Sequence, residues 1–225
     1  MRARVEAQFR HDERSRIVSI NQWNGGVAPR FYLGRTPDGT LCRFRNDLPD
    51  DLADQLLRLA NDEPLSNSFA RIPAYYDEYL SLLSMNAPVQ GVWSGPGYCF
   101  RGDVTPARQP VAIDEENADM LRGGLEDWLP DVAHRQPFMA MIDDDHAVSV
   151  CASSRITDSA HEAGVETLPD YRRKGYAVDV VAGWASAVLE LGAVAFYSTS
   201  WDNVASRSVA ERLGLSALGS DFHIT

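Results

Sequence analysis

Residues 169–181 read PDYRRKGYAVDVV, which sets Arg172, Arg173 and Lys174 against Gly175-Tyr176-Ala177 at the start of an apolar, helix-like run. A helix begins with unpaired backbone N–H groups and a partial positive charge, so its first turn attracts anions. Gly175 and Ala177 carry little or no side chain, which lets a phosphate approach those amides closely. The two arginines add forked donors and the lysine a point charge. Hydrogen bonds to charged groups contribute about 1.5–3 kcal/mol each, so a few of them would hold a pyrophosphate. On an ordinary surface the same residues would be a solvated basic turn and nothing more.

Two carboxylates offer a second chemistry. Glu162 and Glu166 lie four residues apart in AHEAGVETL, so on a strand they share a face while His161 points the other way. A lysine-like amine of pKa near 10.4 is neutral about once in 2,500 at pH 7. A carboxylate beside it could remove the proton, directly or through water. Surface charge at a strand end is the competing reading for each glutamate. A second small-residue helix start, Asn203-Val204-Ala205-Ser206, follows; there Asn and Ser also suit ordinary helix capping.

The elements that must carry these residues follow from periodicity. RFYLGRTPDGTLCRFR (30–45) reads as two short strands about the turn Pro37-Asp38-Gly39. A helix follows with Leu52, Leu56 and Leu59 on one face and Pro64 as its stop, then a second at about Tyr75 to Ser84. The Gly/Pro-rich GVWSGPG (91–97) is the best candidate boundary. Beyond it EENADMLRGGLEDWLPDV has a helical pattern weakened by Gly123-Gly124. PFMAMI, AVSVCASSRI and AHEAGVETL read as strands, with DDDH (143–146) as the first turn. A helix with Ala177, Val181, Trp184 and Val188 along one side, the strand VAFYSTS, a helix closed by Gly214 and a terminal strand complete the order. Strands first, then strand–helix–strand–helix–strand, predicts a mixed α/β sheet.

Composition narrows the class. With 225 residues, 44% hydrophobic and 24% charged, the chain reads as an ordinary globular protein of one large domain or two small ones. Its net charge of −11 sits almost wholly beyond residue 97: 11 basic and 12 acidic groups before that point, 10 and 20 after it. Nucleic acid and membrane are therefore not expected partners, since binding polyanions needs Lys and Arg to neutralise phosphates. A cationic substrate suits the acidic surface, which serves solubility equally well. The N-terminal stretch has charges but no apolar core, and Cys42, Cys99 and Cys151 make no disulfide framework, so the cytoplasm is the expected compartment. No nucleophile elbow, dinucleotide fingerprint, phosphate-binding loop of the nucleotide hydrolases or metal-ligand spacing is present.

Taken together, the two helix starts resemble the GCN5-related N-acetyltransferases, the GNAT family, in a bacterial subgroup with an added N-terminal region. In that family a strand runs into Arg/Gln-x-x-Gly-x-Gly/Ala, here Arg172 to Ala177, and a later strand into Asn-x-x-Ser/Ala, here Asn203 to Ser206, with a Leu-Gly-Phe-like ending at Leu213-Gly214-Leu215. The resemblance covers about residues 110–225. It implies the mixed-sheet acetyltransferase fold at 98–225 behind a smaller α+β domain of unknown role at 1–97. It also implies transfer of an acetyl group from acetyl-CoA to a primary amine by direct attack. By position, Thr167 and Leu168 would present strand backbone to the pantetheine arm, residues Arg172, Arg173, Lys174, Gly175, Tyr176 and Ala177 would hold the pyrophosphate, and Asn203 and Ser206 would contact the rest of the cofactor. The base would be Glu162 or Glu166, and an amide of the Val165–Leu168 strand would polarise the acetyl carbonyl. Where the family often has a tyrosine acid this chain has Ala210, leaving water, Tyr176 or Tyr197 in that role. That departure also supports a different class, a non-catalytic acyl-CoA-binding sensor, and a third reading makes residues 1–97 a partner-binding part. The acceptor and any homodimer are left open.

Overall fold

The structure, a computed structural model, describes residues 1–65, 71–102 and 104–225. In chain order the first elements are α1 (Arg2–Gln8), β1 (Phe9–His11), β2 (Ile17–Ile20), β3 (Phe31–Thr36), β4 (Gly39–Phe44), α2 (Asp50–Asp62), α3 (Tyr76–Asn86) and β5 (Val92–Cys99). Then come β6 (Val111–Ala112), β7 (Phe138–Asp143), β8 (His146–Thr157), β9 (Ala160–Thr167), α4 (Tyr176–Glu190), β10 (Val194–Ser198), α5 (Val204–Arg212) and β11 (Ser216–Ile224). They fall into two compact units: Met1–Tyr98 with Ser198–Val204 and Ala217–Thr225, and Cys99–Tyr197 with Ala205–Ser216.

In the first unit the strand order is β4-β3-β11-β5. The hairpin reads directly from its turn: Phe31 lies opposite Phe44 and Thr36 opposite Gly39. Leu52, Leu56 and Ala60 of α2 and Tyr79 and Leu83 of α3 bury against Phe31, Leu33, Phe222 and Ile224, which removes their apolar surface from water. The segment GVWSGPG is strand β5. The charged N-terminal stretch, whose pattern predicts no element, forms α1 and β1, and Val5, Phe9, Ile17 and Tyr32 make a separate small core there.

In the second unit the order is β10-β9-β8-β7-β6, antiparallel from β9 to β6 and parallel between β10 and β9. The predicted mixed sheet is thus present. Val181, Trp184 and Val188 of α4 are buried; the Trp184 indole N–H donates to Ser153 Oγ at 3.0 Å, and that hydroxyl bonds His161 Nδ1 at 2.8 Å. One expectation is corrected here. EENADMLRGGLEDWLPDV is not a helix but two 3-10 turns, Ala118–Leu121 and Glu126–Asp131. Gly123 and Gly124 take φ of +108° and +132°, a region that breaks a helix. The Glu126 carboxylate accepts both of their N–H groups at 2.7 and 2.9 Å, which holds its pKa below the usual range.

Candidate active site

The turn between β9 and α4 shows how local sequence shapes a cradle. Pro169 starts a 3-10 turn, Pro169–Tyr171, that ends at Arg172. Arg173 then adopts φ +62°, and Gly175, the N-cap of α4, φ +90°. Alternation of left-handed residues with their neighbours turns successive N–H groups to one side, a nest for an anion. Having no side chain, Gly175 leaves the first turn of α4 without a side-chain cap, and Val178 and Asp179 are the residues whose N–H groups return to its carbonyl. The amides of Tyr176 and Ala177 therefore open outward from the helix start.

Cations ring this turn. Arg172, Arg173 and Lys174 are exposed, with the Lys174 ammonium 4.8 Å from the centre of the Tyr171 ring. Arg172 Nε donates to the Thr167 carbonyl at 3.2 Å, folding its side chain back along the end of β9. Tyr176 packs on Tyr171, ring centres 5.9 Å apart.

β9 supplies the second part of the site. It pairs with β8 along its length but with β10 only through Ala160, His161 and Glu162. Past Glu162 the register with β10 ends. The Leu168 N–H donates to the Val148 carbonyl at 3.0 Å, so by antiparallel alternation Glu166 also faces β8 while Val165 and Thr167 turn their amides the other way. Thr167 Oγ1 bonds Ser149 Oγ at 2.7 Å, and the Leu168 side chain packs on the core cluster of Phe138 and Val150.

The two glutamates meet different surroundings. Glu162 is buried, 4% exposed, opposite Arg155 on β8 and Phe196 on β10; its charge favours the protonated Arg155, whose pKa burial lowers. Glu166 is exposed, and its Oε2 accepts the Trp128 indole N–H at 2.6 Å. Four residues of strand separate them by about 13 Å. Tyr197 is buried, its hydroxyl bonded to Ser206 Oγ at 2.6 Å; Ala210 is fully buried. Asn203 lies with the first unit, where its N–H donates to the Ser200 carbonyl at 3.2 Å.

Residues 138–219, which contain the cradle, β9 and Ser206, match the model of the GNAT acetyltransferases. Through this region the chain is similar to the GNAT acetyltransferases. Two solved structures share the fold. A GNAT acetyltransferase from Colwellia psychrerythraea is 14% identical over 85% of this chain and 80% of its own, with a TM-score of 0.51. A Drosophila protein gives 14%, 85%, 72% and 0.51 for the same quantities. A GNAT acetyltransferase from Novosphingobium aromaticivorans is 18% identical over 60% of this chain, with a TM-score of 0.48, and this chain spans 65% of its length. No curated protein matched the chain.

The turn before α4 also gathers groups the sequence reading missed. Arg108 Nε donates to Asp179 Oδ2 at 2.6 Å and its Nη2 to the Lys174 carbonyl at 3.0 Å. Its guanidinium lies 4.3 Å from the centre of the Tyr176 ring. Arg212, in the last turn of α5, also reaches Gly175: its Nη2 stands 3.7 Å from where a Cβ on that residue would sit. Neither arginine belongs to a short motif, so only the charge of Asp179 inside an apolar helix, visible in YAVDVVAG, hinted at a partner.

Proposed function

We propose that this protein transfers an acetyl group from acetyl-CoA to the nitrogen of a primary amine by direct attack in a ternary complex. One observation carries the reading: the uncapped first turn of α4 opens on a left-handed Gly175 with Arg108, Arg172 and Arg212 close by. Outward amides, a position without a side chain and several forked cations fit a diphosphate. When bound, the thioester supplies an acyl group already activated toward amines.

The chain's own residues do the rest. Tyr176 and Ala177 donate their amides to the diphosphate, and Arg172, Arg173 and Lys174 supply charge. Ser206 holds the remainder of the cofactor. Thr167 lends its outward strand amide to the pantetheine arm, whereas the Leu168 backbone is held by Val148 and Tyr171, and the amide of Val165 polarises the acetyl carbonyl. Glu162 or Glu166 accepts the proton that makes the acceptor amine neutral. A thiol of pKa about 8.5 leaves largely unaided, so the absence of a tyrosine at Ala210 is tolerable; water, Tyr176 or Tyr197 can return the proton. The acidic surface of the C-terminal part suits a cationic acceptor.

Acetyl-CoA at 100 times its Kd is expected to stabilise the protein by about 2.7 kcal/mol in a melting experiment. No shift at millimolar acetyl-CoA would count decisively against the reading. Thiol release across a broad panel of amines then separates catalysis from a second reading, an acyl-CoA-binding sensor, which Ala210 favours. Cofactor binding without turnover on any amine would support the sensor. No described helix is long and apolar enough to cross a membrane.

A further inference from the structure

Arg108 comes from a segment upstream of the region that matches the GNAT model, yet it forms one wall of the cradle. We propose that Arg108 is a cofactor-phosphate donor whose charge offsets Asp179, so that the pair, rather than the motif residues alone, sets affinity for coenzyme A; this rests on the acetyl-CoA reading above.

Asp179 poses the problem that Arg108 solves. It is 4% exposed and sits in the first turn of α4, one turn from the amides of Tyr176 and Ala177. A buried carboxylate so close to a bound diphosphate would repel it across a poorly screened path. Asp179 instead spends both oxygens on one loop: Oδ1 accepts the Ala107 N–H at 2.9 Å and Oδ2 the Arg108 Nε at 2.6 Å. This docks residues 107 and 108 against the helix and sets a cation over the acid.

The guanidinium is fixed as well as charged. Its Nε is held by Asp179, one Nη2 hydrogen by the Lys174 carbonyl and its face by the Tyr176 ring. A guanidinium has five N–H donors, so the Nη1 pair remains for a ligand. Nη2 lies 3.0 Å from where a Cβ on Gly175 would sit, which puts this donor group at the rim of the amide cradle. A planar fork held in advance loses less freedom on binding phosphate than an exposed side chain such as Arg173.

A simple loop clamp makes the opposite prediction, and a double-mutant cycle on coenzyme A binding by calorimetry tells them apart. Arg108→Ala is expected to weaken binding at least about tenfold, since it removes a charged donor and uncovers Asp179. Adding Asp179→Asn to it should recover a large part of that loss, because the amide oxygen can still accept from Ala107 while the repulsion is gone. If the pair were a structural clamp, the second change would weaken binding further. Unchanged affinity in Arg108→Ala, or no recovery in the double variant, overturns the proposal while leaving the acetyl-CoA reading intact. Failure of the unaltered protein to bind coenzyme A overturns both. Should Arg108→Ala fold poorly by its ligand-free melting curve, Arg108→Gln replaces it: similar length, no charge, the same tenfold loss expected, and wild-type affinity equally fatal.

Discussion

Arg4 of α1 and Asp221 of β11 form an ion pair inside the first unit, with both side chains wholly shielded from solvent. The acid also accepts the Tyr32 hydroxyl at 2.8 Å and a long 3.5 Å bond from Gln8 Nε2. On the other side, any side chain at Gly97 of β5 would collide with the Arg4 guanidinium. Removing one partner of a buried pair strands the other charge, which costs about 3–5 kcal/mol, whereas replacing both with apolar residues of like volume is often neutral. Arg4→Ala and Asp221→Ala should each lower the unfolding free energy measured in urea by that amount, and Arg4→Met/Asp221→Leu should lower it less. A double variant no better than the singles would contradict this account.

His223, two residues on, gives the same region a pH dependence. Its Nε2 is shielded although the residue keeps some surface; burial, with Arg4 nearby, pulls its pKa down to about 4 against the opposing pull of Asp221. A folded pKa below the unfolded value means that the unfolded chain binds the proton more readily, so the contribution is complete above about pH 6.5 and is lost as pH falls toward 4. The expected loss by pH 4 is about 3 kcal/mol. Unfolding free energies measured from pH 7 to pH 4 should fall less steeply in His223→Gln than in the unaltered protein. Parallel curves would show that His223 is not the group responsible.

How much of this was legible depended on range. The hairpin at 31–44, the strands β7 to β9 and the buried side of α4 follow from alternation and 3.6-residue spacing, both local properties. The cradle was legible for the same reason, since its glycine and cations are contiguous. Arg4 was not: in a charged stretch, nothing periodic separates an arginine headed for the interior from its solvated neighbours. Arg108 was hidden because its meaning comes from Asp179, 71 residues later. The 118–131 segment failed differently, since its apolar spacing was right but two glycines preferred left-handed backbone to a helix.

Gly175 should resist substitution on two counts. Its φ of +90° costs a side-chain-bearing residue about 1–3 kcal/mol, and a Cβ there would press Arg108 Nη2 at 3.0 Å. Gly175→Ala is therefore expected to lose unfolding free energy by an amount in that range and to bind coenzyme A at least about tenfold more weakly. Retention of full affinity would mean that the cradle amides are not the phosphate site.

Glu162 and Glu166 should differ sharply when each is changed to Gln. Glu162 is the last β9 residue in register with β10, at the point where the two strands part; Glu166 lies toward the cradle end, held by Trp128. A base must reach the acceptor nitrogen near the acetyl carbonyl, so Glu162→Gln is expected to lower kcat/KM by about 10²–10⁴-fold, with coenzyme A affinity unchanged. Glu166→Gln should lower it only a few-fold, through a looser Trp128. The Glu162→Gln defect should also shrink as pH rises from 7 toward 9.5, because each pH unit supplies about ten times more neutral amine from solution and makes the enzyme's base less necessary. A deficit that stays constant over that range, or one that falls on Glu166 instead, would move the proton transfer elsewhere on the strand.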